Sequence, residues 1–308
     1  MRKHVWAIAY GLLLTAFTAY ILLDTFVITK VYSVVENETS AEMVPDTGAQ
    51  EVKNKEGSTE EKAEAVITDT SYQDENISVT ITEYREYDSS IYVAEVKLSS
   101  AEYLRTAFAQ NSYGKNVTEK TSVTAKKNGA ILAVNGDYYG AQEQGYVLRN
   151  GVLYRETASA EQEDLVIYED GSFEIITEGG TSAEALLQAG ARQILSFGPA
   201  LVKEGGIVIT RDEEVGKAKA SNPRTAIAIV DELHYLFLVS DGRTDESSGL
   251  SLYELAEFAQ SLGAQTVYNL DGGGSSTMYF NGKIINNPTS SGKSVKERSV
   301  SDIVFIGY

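Results

Sequence analysis

Thr266-Val-Tyr-Asn-Leu-Asp-Gly-Gly-Gly-Ser-Ser-Thr-Met-Tyr-Phe280 decides how this chain is read. A strand-like apolar run, Thr266 to Leu270, stops at Asp271, crosses three glycines and two serines, and resumes as Thr277 to Phe280. Three successive glycines cost backbone entropy, so either a mobile loop tip tolerates them or a close approach requires them. The buried-looking flanks favour close approach. In that reading the backbone N–H groups of Gly272, Gly273 and Gly274 form an anion-binding nest, with the Ser275 and Ser276 hydroxyls alongside. The stretch is not a P-loop, because no lysine follows the glycines and a strand rather than a helix comes next. For the same reason it is not a dinucleotide-binding turn.

Outward from this stretch the same arrangement recurs: an apolar strand ends and a polar cluster follows. The clusters are Asn135-Gly-Asp-Tyr-Tyr-Gly140, Ser196-Phe-Gly-Pro199, Asn222-Pro-Arg-Thr225 and Ser240-Asp-Gly-Arg243, with Asn269 and Asp271 in the stretch already quoted. Each alone is compatible with ordinary turn chemistry. Together they resemble loops of one site carried on a rigid sheet. Alternation in Ile77–Thr82 and Ile91–Lys97 reads as strands. Asn150-Gly151, Asp170-Gly171 and Asn281-Gly282 read as hairpin turns. Helix starts are marked at Thr181-Ser-Ala-Glu184 and by the capping box Ser251-Leu-Tyr-Glu254. The expected fold is α+β: a strand-dominated mixed sheet with two or three packed helices, preceded by one N-terminal transmembrane helix.

Composition narrows the chemistry. The chain has 308 residues, a formal net charge of −18, no cysteine and two histidines. The acidity disfavours nucleic acid as a partner. Absence of cysteine excludes disulfides, thiolate nucleophiles and Cys-ligated metals. His4 precedes the apolar run and His234 lies in a strand-like stretch beside a tight turn, which suits a structural residue, so carboxylates must carry any acid–base work. The candidates are Asp271, Asp241 and Asp137, with Glu297 in reserve. Arg224, Arg243 and Arg298 supply positive charge, since arginine can grip a phosphate through two parallel hydrogen bonds. Asn135 and Asn269 add polar contacts. No dedicated metal ligands are assigned.

Val5 to Leu23 carries no charged residue, and Thr25–Thr29 extends it past Asp24 to a length that spans a bilayer. Arg2 and Lys3 place the N-terminus inside, so the remainder faces outward. Residues 1–32 form the expected cytoplasmic tail and anchor; a cleaved signal peptide is the alternative. Residues 33–65, rich in Glu, Ser, Thr, Ala and Gly, read as a disordered acidic linker, and 66–308 as the folded domain.

The ordered set Asn135–Tyr139, Phe197–Val202, Asn222–Ala226, Ser240–Arg243, Gly249–Leu255, Leu262–Ala264, Asn269–Ser276 and Glu297–Ser299 resembles the phosphodiester glycosidase family across roughly Ser100 to Tyr308. The resemblance implies a domain that binds a sugar phosphate and hydrolyses its glycosidic bond without a redox cofactor. It implies a glycan or sugar-phosphate substrate from the cell envelope or an exopolysaccharide. Cysteines of animal members are absent, so their disulfides do not transfer. On this basis Arg224 and Arg243 hold phosphate, Arg298 supports either them or a carboxylate, the Gly272–Ser276 loop and Asn135 bind sugar or phosphate oxygens, and two of the three aspartates do acid–base work. Two rivals stay open: a metal-dependent phosphodiesterase using the aspartates as a cradle, and a non-catalytic module that binds anionic glycans. Oligomeric state is not legible.

Overall fold

The computed structural model describes residues 4–35, 65–211 and 221–308. The first element, α1 (Val5–Phe26), has a 21-residue stretch, Trp6–Phe26, long and apolar enough to cross a membrane. Three residues later the chain forms the strand Lys30–Val34, which pairs antiparallel with Ser112–Lys115. Ser33 and Val34 are thus strand residues rather than linker. Most of the expected acidic linker, residues 36–64, lies outside the described residues.

The domain is organised around a nine-stranded antiparallel sheet. Its order is Gly206–Ile207, Ala200–Lys203, Thr266–Asn269, Arg224–Asp231, His234–Ser240, Ser89–Leu98, Ile77–Glu86, Ser71–Gln73 and Val66–Ile67. Period-two alternation splits its side chains between two layers. Tyr235, Phe237 and Val239 join Ile227, Ala94 and Val96 on one face, against Leu132, Leu165 and Val304 of two further sheets. Leu236 and Leu238 join Ala226, Ala228 and Val93 on the other face, under Leu255, Ala256 and Ala259 of α4 (Leu252–Ser261).

One five-stranded sheet runs Lys283–Ile284, Met278–Phe280, Leu132–Asn135, Asp302–Ile306, Leu104–Phe108. The other runs Val152–Arg155, Val147–Arg149, Ala191–Leu195, Glu163–Tyr168, Phe173–Thr177. Besides α4, the domain carries α2 (Thr121–Lys127) and α3 (Ala183–Gln188). The capping box at α4 forms as read: Ser251 accepts from the Glu254 N–H while Glu254 accepts from the Ser251 N–H. At Asn150-Gly151 both φ values are positive, 49° and 78°, as a two-residue hairpin turn demands.

Candidate active site

The strand Thr266–Asn269 sits between Ala200–Lys203 and Arg224–Asp231, and the Asp271–Ser276 turn leaves from its end. There a cavity of ≈ 640 Å³ opens, lined by Arg224, Arg243, Arg298, Asn269, Asp271, Gly272 and Gly273 among others. That volume suits a small polar ligand. The three arginines, distant in sequence, therefore share one wall with one of the three candidate aspartates.

Each glycine of the triplet answers a specific neighbour. A Cβ on Gly273, which has φ +61°, would stand 2.9 Å from Arg243 Nη2. One on Gly274 would stand 2.7 Å from Arg298 Nη2 and run into the Ser290 hydroxyl. One on Gly272 would press on the Pro223 carbonyl oxygen at 3.0 Å. The missing side chains thus make room for guanidinium groups. Of the three N–H groups read as a nest, that of Gly273 donates to the Pro223 carbonyl at 2.8 Å.

Arg243 is held by Nε and Nη2 donating to Asn222 Oδ1 at 3.1 and 3.0 Å, and by Nη1 donating to the Ser290 carbonyl at 2.8 Å. Arg298 Nη2 donates to Ser290 Oγ at 3.4 Å, so Ser290 bridges the two. Partial burial and the nearby positive charge of Arg298 push the Arg243 pKa down. Arg224, almost fully buried, donates from Nε to the Leu250 carbonyl at 2.8 Å. Two mutually repelling cations thus stand side by side in a protein of net charge −18.

Asp271 brings a carboxylate to the lining. Burial raises its pKa above the ordinary aspartate value; the Ser275 hydroxyl and Arg298 oppose that shift without cancelling it. Its backbone is fixed from below by Asn135, whose Nδ2 donates to the Asp271 carbonyl at 2.6 Å while its Oδ1 accepts from Thr225 and Thr277. Asn135 therefore positions the acidic residue and does not itself line the cavity. Asn269 does line it, with Nδ2 donating to the Gly198 carbonyl at 2.7 Å and a buried Oδ1 that has no hydrogen-bond partner among the described residues. Ser275 and Ser276 are buried, and neither forms part of the lining.

Asp137 and Asp241 lie away from the cavity lining. Asp137 is fully buried, accepting from Arg149 Nη2 at 2.8 Å, the Ser196 N–H at 2.8 Å and the Tyr139 N–H at 2.9 Å. Asp241 accepts from the Asn287 N–H at 2.8 Å, Asn287 Nδ2 at 3.0 Å and Asn286 Nδ2 at 3.1 Å. Oxygens so fully engaged brace loops; they are not poised toward a ligand. Glu297 binds the Ser122 N–H and hydroxyl at the start of α2. His234 is likewise off the lining.

The sequence reading missed a second group of carboxylates. Glu161, Gln162 and Glu163 form part of the wall. Glu163 is tied to Lys203 Nζ at 2.6 Å and the Ala200 N–H at 3.2 Å, whereas Glu161 is exposed at a backbone φ of +61°. Nothing in Ala160-Glu-Gln-Glu-Asp164 announces this placement, which tertiary folding alone brings about. Among the described residues, no cluster of three His, Cys, Asp or Glu is arranged to hold a metal ion.

This arrangement has counterparts. The chain is 28% identical over 201 residues to the uncharacterised protein YomE, derived from the SPbeta prophage of Bacillus subtilis, covering 64% of this chain and 31% of that protein. It is 29% identical over 183 residues to N-acetylglucosamine-1-phosphodiester alpha-N-acetylglucosaminidase of Mus musculus, covering 54% of this chain and 35% of the mouse protein. The chain thus spans about a third of the length of these curated relatives. Its fold matches the catalytic domain of the zebrafish enzyme of the same name, solved in a form auto-inhibited by its pro-peptide. That match has a TM-score of 0.61 and 21% identity, covering 75% of this chain and 83% of that one. A hypothetical protein from Synechocystis shares the fold at a TM-score of 0.54 and 14% identity, covering 76% of this chain and 62% of that one. The family model for phosphodiester glycosidase matches residues 128–307, more than half of the chain and every cavity residue named above. The chain belongs to the phosphodiester glycosidase family.

Proposed function

We propose that this chain is a membrane-anchored, extracytoplasmic hydrolase that cleaves the glycosidic bond of a sugar-1-phosphodiester in a cell-envelope or exopolysaccharide substrate. The reading is supported most by one observation: Asp271, with its raised pKa, shares a cavity with Arg224, Arg243 and Arg298.

A phosphate leaving group is a weak base and needs neutralisation more than protonation. Arg243 and Arg298 offer it two guanidinium groups beside Gly273 and Gly274, and Arg224 lines the same cavity. The sugar then lies toward Asp271 and Asn269. In the proposed step a water oxygen bonds to the anomeric carbon, and its proton passes to the Asp271 carboxylate. The bond between that carbon and the phosphate oxygen breaks, and the phosphate monoester departs with the electron pair. A carboxylate held in a buried setting is a stronger base than one in water. Glu161 is the second carboxylate of this reading, at the cavity mouth. The relatives named for N-acetylglucosaminidase activity support a hexosamine phosphodiester as the first substrate to try. The metal-dependent rival needs several carboxylates converging on one point, and Asp137 and Asp241 are engaged elsewhere.

Purified protein should release reducing sugar from an α-glycosyl-1-phosphodiester, with the rate unchanged by EDTA. Tight binding without release supports the non-catalytic module instead. Loss of activity in EDTA, restored by a divalent ion, supports the phosphodiesterase.

A further inference from the structure

The acidic stretch between anchor and domain reads in sequence as a leash, but the topology around it is different. The strand Lys30–Val34 lies before that stretch and is already paired with Ser112–Lys115 of the domain. After it, Val66–Ile67 belongs to the nine-stranded sheet. Residues 36–64 therefore start and end on the folded domain, and they add no length between helix and domain. Only Val27, Ile28 and Thr29 separate α1 from the strand. Fully extended, three residues reach roughly 10 Å.

Even that slack is taken up. Asn116 Nδ2 donates to the Thr25 carbonyl at 3.2 Å and the Ile28 carbonyl at 3.1 Å, and Thr29 Oγ1 donates to the Asn116 carbonyl at 3.3 Å. Lys30 Nζ pairs with Asp24 Oδ2 at 2.7 Å, joining strand to helix. Gly114 permits the close pairing, because a Cβ there would run into the Lys30 carbonyl oxygen.

The surface at this joint suits a bilayer. Val27, Val31, Tyr32 and Val34 are each more than half exposed, continuous with the exposed Phe26. Tyr32 borders a crevice shared with Tyr113, Lys115, Gln142, Glu143 and Arg155. An exposed tyrosine just beyond an apolar helix, as Tyr32 is here, matches the headgroup layer of a membrane.

We propose that the domain is clamped to its membrane helix rather than tethered, and that the face carrying strand Lys30–Val34 and the Tyr139–Gln144 loop rests on the lipid headgroups. This rests on reading α1 as a retained anchor. It adds a fixed orientation: the domain reaches only substrates held close to the bilayer surface.

The chain lacks cysteine, so one engineered cysteine labels a single site. A nitroxide at Gln144→Cys in the full-length protein, reconstituted into bilayers containing nickel-chelating lipid headgroups, should show strong relaxation enhancement. A Gly-Ser spacer of about 12 residues between Ile28 and Thr29, worth about 20 Å of reach, leaves the strand pairing intact and should abolish the enhancement. No enhancement in a protein that floats with the bilayers, or enhancement that survives the spacer, overturns the clamp. Failure to float overturns the anchor reading itself, and the clamp with it.

Discussion

Asp271 and the arginines facing it carry the account's most local predictions. If Asp271 takes the proton as proposed, Asp271→Asn should lower kcat/KM by about 10³-fold with thermal stability largely retained, because the partners of its carboxylate, the Gly272 N–H and the Ser275 hydroxyl, belong to its own turn. For the wild-type protein, the acid limb of kcat/KM against pH should fall above the ordinary aspartate value. The sign follows from burial: a raised pKa leaves Asp271 protonated, and unable to accept a proton, at pH values where an exposed aspartate is already ionised. Arg243→Lys should raise KM by about tenfold, since lysine offers a point charge where a planar fork is held by Asn222 and Ser290. Gly274→Ala should mimic the loss of Arg298, because the new methyl group occupies the guanidinium's place. The triplet was conspicuous in sequence as a place of close approach. Its actual reason was not, because the partners Arg243 and Arg298 are brought to it only by tertiary folding.

At the scale of elements, the polar clusters separate into those that line the cavity and those that hold its walls. Asp241 accepts three hydrogen bonds from Asn286 and Asn287, fastening the segment after Lys283–Ile284 to the end of His234–Ser240. Asp241→Asn puts an amide among those donors and should cost about 2 kcal/mol of stability, read as a lowered Tm. Glu297→Ala removes the acceptor at the start of α2 and should cost about 1 kcal/mol, with kcat little changed. Local chemistry was legible here: the Ser251–Glu254 box and the Asn150-Gly151 turn are set by neighbouring residues alone. The roles of Asp137, Asp241 and Glu297 were not, since an aspartate at a strand end looks the same whether it faces a cavity or a buried arginine. Glu161 to Glu163 were overlooked because their loop reaches the cavity from another sheet.

For the whole molecule, buried acidity beneath the cavity sets how the fold responds to pH. Burial and the neighbouring Glu178 push Asp164 up to about 10. Burial and Asp137 push Asp302 up as well, even though Arg149 bridges the two at 2.8 Å each. A carboxyl raised in the folded state stabilises it most below the unfolded value, and that stability drains as pH climbs toward the folded value. Asp164→Asn keeps a donor toward Glu178 but cannot ionise. It should therefore melt above the wild-type protein at pH 8 and converge with it near pH 4.

The central claim is that the bond between sugar carbon and phosphate oxygen is the one broken. Hydrolysis of a glycosyl-1-phosphodiester in heavy-oxygen water, followed by mass measurement of the released phosphate monoester, reads this directly. Cleavage at the sugar carbon leaves the phosphate without the heavy isotope, its original oxygens intact. Heavy oxygen on the phosphorus would place the cleavage on the other side of that oxygen and contradict the account.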